Sequence, residues 1–394
     1  MSIVIFGDLF SFPEGSAATN RVYTYAKGFK ENNINVYIIC FANGFRNEYE
    51  GLMNGIPYYY PFKQEKRNKY FVIRRWQKLL KYYRTFILIR KINKQDKITA
   101  INLWTNLHLT FMYAWLLSKV YKAKLVNECS EHPLRHYQNG IWNKKQGIIK
   151  FYIESRLCDG VLCISKYLIN FHHSRGIDHR KLFLVPSTVD PARFSEIGEN
   201  PLNYRYIGYF GSLTFKRDNI DLLIKAFAKI TSLHPEFYLV LGGFCSAKEK
   251  KDIEDLILNL NIKLKVKLLD YLTRQEIIRY ISHADILVMV RSNDLESQAS
   301  YPSKLSEFLA TSKPVITVNV GEITDYLIDG KNAFLVEPEN YDLLAEKLDY
   351  VLSNYELSRQ VGHEGKELTD TIFNYNYQAK RIIGFINSLN NSNN

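Results

Sequence analysis

Short apolar runs alternate with longer helix-like stretches along almost the whole chain, and this alternation limits the architecture more than any other feature. In the first half the runs are "SIVIF", "NVYIIC", "AINLW", "KLVNE", "GVLCIS" and "LFLVP", with helical stretches near 16–31 and 107–121. Strands separated by helices in this way form βαβ units and a parallel sheet. A second series follows: "YIGYFGS", "FYLVLGG", "KVKLLD", "DILVMV", "PVITV" and "AFLVE". Between the two lies "STVDPARFSEIGENPLN", whose Pro, Gly and Asn content marks a linker. A chain of 394 residues also exceeds what one hydrophobic core usually supports. The expectation is the α/β class with two doubly wound, Rossmann-like domains, 1–195 and 196–372, whose sheets turn their carboxyl ends to one cleft. A last helix near 373–390 is expected to pack back on the first domain.

Several classes are disfavoured at once. The start "MSIVIFGDLF" lacks a basic leader, and no stretch approaches the roughly 18 apolar residues of a spanning helix, so a cytoplasmic protein is expected. Cys40, Cys129, Cys158, Cys163 and Cys245 are scattered and lack the paired spacing of a zinc site, which reads as reduced core cysteines. Neither half contains GxxxxGK or a complete GxGxxG, so any phosphate-bearing ligand must be held differently.

The charge is concentrated. Between Lys63 and Lys97 thirteen Lys or Arg stand against Glu65 and Asp96, a net +11 of the chain's +12. Within it, "YFVIRRWQKLLKYYRTFILIRKI" mixes bases with aromatic and aliphatic residues, as an amphipathic helix on an anionic membrane surface does. Arg74, Arg75, Trp76, Lys78 and Lys81 are the candidate contacts. A solvated basic helix with its apolar side on the core, or a nucleic-acid patch, are the alternatives.

"YPSKLSEFLATSKPVI", residues 301–316, has a helix start, a lone carboxylate and a buried strand in close succession. Pro302 suits a first helical turn, and Leu305, Phe308 and Leu309 form a buried stripe. At about 100° per residue Glu307 falls away from that stripe, on the side of Ser303. A carboxylate there can accept two hydrogen bonds from a vicinal diol such as a ribose, and amides at the helix start can receive a diphosphate.

The longer stretch "YPSKLSEFLATSKPVITVNVGEITDYLIDGKNAFLVEPENYDLLAEKL" resembles the donor-site signature of retaining glycosyltransferases of family four, which have the GT-B fold. "YFGSLTFKRDNIDLLIKAF", "PEFYLVLGGF", "YLTRQEIIRYISHADILVMV" and "DGVLCISKYLINFHHSRGIDHRKLFLVPSTVDPARF" follow the family's order, and the likeness is good over 155–355. "FPEGSAATNRVYTYAKGFKENNINVYIIC" is similar to the family's first glycine-containing loop and helix. The resemblance makes Glu307 the ribose-binding second glutamate of Glu-x7-Glu. Ala299 stands where the first glutamate belongs, with Glu296 the nearest acid, and Ser212 stands in the usual arginine place, leaving Lys216 or Arg217 to neutralise the diphosphate. Gly15, Gly211, Gly243, Tyr271, Leu272, Ser303 and Lys304 complete the implied donor site. In "CSEHPLRHY" His132, and next Glu131, match the position of a catalytic or sugar-contacting residue. His132 and His136 also have metal-ligand spacing, without a third ligand.

What the resemblance implies is retaining transfer of a sugar from a nucleotide-diphosphate sugar, UDP favoured over GDP, with no metal or cofactor. The implied acceptor is a saccharide, lipid-linked, at the inner face of the cytoplasmic membrane, in surface polysaccharide assembly. A non-catalytic nucleotide-sugar-binding relative or scaffold, an epimerase on the same fold, and a nucleic-acid-binding protein are the competing classes.

Overall fold

The computed structural model of the chain describes residues 1–15, 17–137, 140–195, 198–270 and 272–391, without the side chains of His136, Ile141 and Asn391. Two compact units divide it: Met1–Thr188 with Tyr375–Asn394, and Val189–Asn374.

In unit one, eight strands form one sheet: β1 (Ser2–Gly7), β2 (Asn35–Cys40), β3 (Glu50–Met53), β4 (Ile56–Tyr59), β5 (Ile98–Trp104), β6 (Lys124–Cys129), β7 (Gly160–Cys163) and β8 (Leu182–Leu184). Their order is β3-β4-β2-β1-β5-β6-β7-β8. Every pairing is parallel except the β3–β4 hairpin, which turns at Asn54–Gly55, both with positive φ. The helices are α1 (Ala17–Glu31), α2 (Phe71–Gln95), α3 (His108–Tyr121), α4 (Ile141–Leu157) and α5 (Lys166–His173).

Unit two carries β9 (Arg205–Phe210), β10 (Phe237–Gly242), β11 (Val266–Leu269), β12 (Ile286–Met289), β13 (Val315–Val318) and β14 (Phe334–Val336). All its strands are parallel, in the order β11-β10-β9-β12-β13-β14. Its helices are α6 (Phe215–Asp218), α7 (Ile220–Ile230), α8 (Ala247–Asn259), α9 (Arg274–His283), α10 (Leu295–Ala299), α11 (Ser303–Leu309), α12 (Ile323–Tyr326), α13 (Tyr341–Ser353) and α14 (Tyr355–Asp370). The last helix, α15 (Tyr375–Asn391), belongs to unit one, where Ala379, Ile382, Ile386 and Leu389 enter the core beside Val22, Tyr25 and Phe29 of α1.

Both sheets are built outward from a central first strand and then resume on its other side, so each has a switch point, at β1/β5 and at β9/β12. Unit two's core shows why the helices form where they do. Ile220, Leu223, Ile224, Phe227 and Ile230 repeat at helical spacing along α7 and are buried with Leu344, Leu348 and Val351 of α13. The junction expected after residue 195 lies later than the observed division after Thr188. Val189 pairs with the other end of unit two through its amide and the carbonyl of Phe373 at 2.9 Å, which draws the intervening linker residues into that unit.

A buried ion pair ties unit one together. Arg21 of α1 donates to Glu128 Oε1 at 2.8 Å and to the carbonyls of Val185 and Pro186 at 2.7 Å each, with both side chains enclosed. All five cysteines are free thiols; Cys40, Cys129, Cys158 and Cys163 are buried and Cys245 partly so.

Lys81, expected on the surface of α2, is instead buried with Thr85, Ile89 and Ile92. Its ammonium donates to the Phe41 carbonyl and to Asn43 Oδ1, each at 2.8 Å, and lies 3.9 Å from the Phe41 ring centroid. Burial pushes its pKa down to about 8. Between pH 8 and the ordinary lysine value of about 10.4, the unfolded chain therefore holds a proton the native state lacks, and native stability rises with pH. Denaturant titrations of wild type and Lys81→Met should show the wild type gaining stability relative to the variant as pH rises through that window. A flat difference would place the ammonium in water.

Candidate functional site

The carboxyl ends of β9 and β12 meet at the switch point of unit two, where open parallel sheets place ligands. Gly211 and Ser212 follow β9, and Arg291 and Ser292 follow β12. The loops are locked by backbone hydrogen bonds: Gly211 N to Gly242 O at 2.8 Å, Leu213 N to Phe244 O at 2.9 Å, and Ser292 N to Arg217 O at 2.9 Å. Gly243 has φ +137°, and a Cβ there would lie 1.7 Å from the carbonyl oxygen of Gly211. Only glycine allows that approach.

Three cations converge on this backbone. A Cβ on Gly211 would stand 2.4 Å from Lys304 Nζ, so the ammonium from α11 sits directly against the β9 loop. Burial lowers the Lys304 pKa, Asp218 and Glu307 oppose that shift, and Arg217 and Arg291 add to it. Arg291 is 7% exposed. Its Nε donates to Ser297 Oγ at 3.0 Å and its Nη2 to Ser300 Oγ at 3.1 Å, while Nη1 is buried with no hydrogen-bond partner. Burial, and next the Arg217 charge, push its pKa down to about 10, so it stays cationic at neutral pH. The nearby carboxylates have other engagements: Asp218 accepts from Thr214 Oγ1 at 2.7 Å, and Asp294 caps α10 by accepting from Ser297 N at 2.8 Å. Like charges gathered in a partly dry site form an anion-binding arrangement.

Glu307 lies on the next turn of α11 from Lys304. Its Oε1 is 3.2 Å from Arg193 Nη1, and the two side chains are only 14% and 13% exposed. The carboxylate is thus enclosed and paired rather than solvated. Ser303 opens α11, a helix of seven residues. Leu272 packs against the end of β10, its Cδ1 3.1 Å from where a Gly242 Cβ would be. Lys216 and Arg217 are both exposed on α6. Tyr271 lies outside the described residues.

Two family models cover most of the chain: "Glycosyltransferase Family 4" over residues 18–193 and "Glycosyl transferases group 1" over 192–368. An uncharacterized glycosyltransferase of Methanocaldococcus jannaschii is 26% identical over 227 residues, 58% of this chain and 59% of that protein. The capsular polysaccharide biosynthesis glycosyltransferase CapM of Staphylococcus aureus is 23% identical over 206 residues, 52% of this chain and 51% of its own length. The match therefore spans between half and three fifths of these two relatives. Among solved structures, Anabaena HepE in complex with UDP superposes with a TM-score of 0.72 at 15% identity, covering 98% of this chain and 100% of that one. The chain belongs to the family-four-like glycosyltransferases of GT-B fold.

Against the family pattern, the two departures noted in the sequence acquire a structural setting. Ala299 is fully buried, so no acid projects there. Ser297 and Ser300, on either side of it, hold the Arg291 guanidinium instead. Ser212 offers no charge, and Lys304 and Arg291 bring theirs to the same loops. Of the two alternatives for the diphosphate cation, both of which are exposed on α6, the Arg217 charge helps to lower the pKa of Arg291 and of Lys304. Sequence reading missed Arg291 and Arg193. The first follows an ordinary apolar strand, and the second sits in the linker, so neither belongs to a local motif.

In unit one, His132 follows β6 and is buried, its ring 4.5 Å from Phe171 and its Nδ1 accepting from Leu134 N at 3.2 Å. Glu131 pairs with Arg135. The side chain of His136 is outside the description, and no group of three metal-ligating side chains occurs among the described residues. The space beside Gly15 is filled by Ser11 of its own loop and Thr19 of α1, so a side chain there would meet both.

Arg291→Met removes a buried cation with an unmet hydrogen-bond donor and relieves its repulsion with Arg217. Its melting temperature should equal or exceed that of wild type, while affinity for UDP, measured by calorimetry, falls about ten- to hundredfold, the worth of one charge-assisted contact. Lower stability with unchanged affinity would make Arg291 a structural residue. Arg217→Ala should weaken UDP binding more than Lys216→Ala does.

Proposed function

We propose that the protein transfers a hexosyl or related sugar from a nucleotide-diphosphate sugar, preferably a UDP-sugar, to a saccharide acceptor with retention at the anomeric carbon. The observation that carries this reading is the convergence of Arg217, Arg291 and Lys304 on the Gly211 loop, one helical turn from the Glu307 carboxylate. Three cations match a diphosphate, and Glu307, held by Arg193, is the acceptor for the ribose hydroxyls. The UDP bound to Anabaena HepE and the capsular role in the name of CapM support the donor class and a place in surface polysaccharide assembly.

In the reaction, the bond from the anomeric carbon to the diphosphate oxygen breaks and the acceptor oxygen bonds to that carbon on the same face. The acceptor's proton passes to the leaving phosphate, so no strong protein base and no metal is required. Negative charge grows on the diphosphate in the transition state, where the fixed cations stabilise it more than in the ground state. His132, with Glu131 second, is proposed to contact the transferred sugar, and a lipid-linked saccharide is the proposed acceptor.

Thermal-shift screening of UDP-, GDP- and ADP-sugars, followed by NMR of the product's anomeric proton, tests the reading. A UDP-sugar should give the largest shift, chelators should leave transfer intact, and the product should keep the donor's anomeric configuration. Glu307→Gln should weaken nucleotide binding by about 1.5–3 kcal/mol, the range for a hydrogen bond to a charged group. Unchanged affinity in that variant removes the ribose assignment. Tight nucleotide-sugar binding without transfer to any saccharide would favour a binding-only relative.

A further inference from the structure

Three consecutive helices of unit one carry apolar residues on the side turned to solvent as well as on the side turned to the sheet. On α2 the inner stripe is Lys81, Thr85, Ile89 and Ile92, and an outer one runs through Val72, Trp76, Leu79, Tyr83 and Ile87 at spacings of three and four. On α3, Phe111, Ala114 and Leu117 are buried while Leu109, Leu116 and Val120 are exposed. On α4, Trp142, Ile149 and Ile153 repeat the same seven-then-four spacing in solvent. Trp76, Leu109 and Trp142 are 62%, 68% and 78% exposed. More than half of the large apolar side chains left exposed among the described residues lie between Tyr70 and Ile153.

The helices are neighbours. Tyr113 OH of α3 donates to the Tyr82 carbonyl of α2 at 2.6 Å, and the Phe86 and Tyr121 rings lie 6.3 Å apart. Lys150 of α4 donates to the Asn106 carbonyl at 2.8 Å, and His108 of α3 meets Glu154 of α4 at 3.0 Å. Three outward apolar stripes thus lie side by side. Around them Arg75, Lys78, Lys94, Lys119, Lys144 and Lys145 are exposed. Glu154, the single carboxylate within the three helices, is largely enclosed and engaged by His108 and Lys150. At the amino end of α2 an open pocket of about 540 Å³ is lined by Lys63, Lys66, Arg67 and Lys69, with Glu65 the single acid among its lining residues.

We infer that the α2–α4 face is a docking surface for an anionic lipid leaflet. Exposed Val, Leu and Ile beside Trp and Tyr suit the boundary between headgroups and acyl chains, and exposed cations that far outnumber the exposed anions suit its surface charge. A second copy would bring the same positive charge to the interface, and nucleic acid leaves aliphatic stripes uncovered. No helix among the described residues is long and apolar enough to cross a membrane, so the attachment lies in the interface. This goes beyond the transfer reaction and does not depend on it.

Vesicle sedimentation without nucleotide or acceptor tests the inference, using phosphatidylcholine vesicles with and without phosphatidylglycerol. The full chain should bind the anionic vesicles and release them with salt. Changing Arg75, Lys78 and Lys94 together to Glu should lower the partition coefficient about a hundredfold. Changing Leu109, Trp142 and Ile149 together to Ser should lower it about tenfold with an unaltered circular dichroism spectrum. Wild-type binding in the Ser variant would overturn the three-helix face. Indifference of the wild type to phosphatidylglycerol, or a dimer in light scattering that these substitutions dissolve, would overturn lipid as the occupant.

Discussion

The approach of Gly243 to the carbonyl of Gly211 is the constraint on which the C-terminal site depends. Two loops from adjacent parallel strands run so close that no side chain fits between them. Whatever binds there meets backbone first, and charge has to be brought in from the flanks. Arg217 arrives from α6, Arg291 from the end of β12 and Lys304 from α11, three segments far apart in the chain that the switch point makes neighbours.

On the proposed reading, this is how the site accommodates Ser212 and Ala299, where the family resemblance implies an arginine and a glutamate. A diphosphate senses the summed field of nearby cations more than the identity of any one of them. Glu307 is matched by Arg193, leaving the three converging cations with Asp218 and Asp294 as counter-charges, both already engaged in capping or hydroxyl contacts. A buried guanidinium with one unmet donor destabilises the fold locally and favours an anionic ligand for the same physical reason.

The two sheets were legible because strands separated by helices announce themselves in apolar runs, and Gly211, Arg217, Lys304 and Glu307 stand out in the sequence as candidates because they sit in contiguous motifs. Arg291 and Arg193 act through topology, as does the Arg21–Glu128 pair, whose members are 107 residues apart. The β3–β4 hairpin went unread although Asn54–Gly55 carries its signal, since the flanking strands are four residues each and only partly buried. Lys81 belongs by composition with the surface bases of its segment, but its spacing with Thr85, Ile89 and Ile92 marks the inner face of α2.

The distribution of charge then gives the two units different electrostatics. Residues 63–97 hold +11 of the net +12, so the long-range field belongs to the helical face of unit one, and the rest of the chain is nearly neutral. Most charges on that face, Lys81 apart, are at least partly exposed and are screened within about 8 Å at physiological salt. Arg291 is buried and Lys304 half-buried, and both are screened far less. Ionic strength should therefore separate the two proposed activities, loosening binding to an anionic surface at salt concentrations that leave nucleotide affinity almost unchanged.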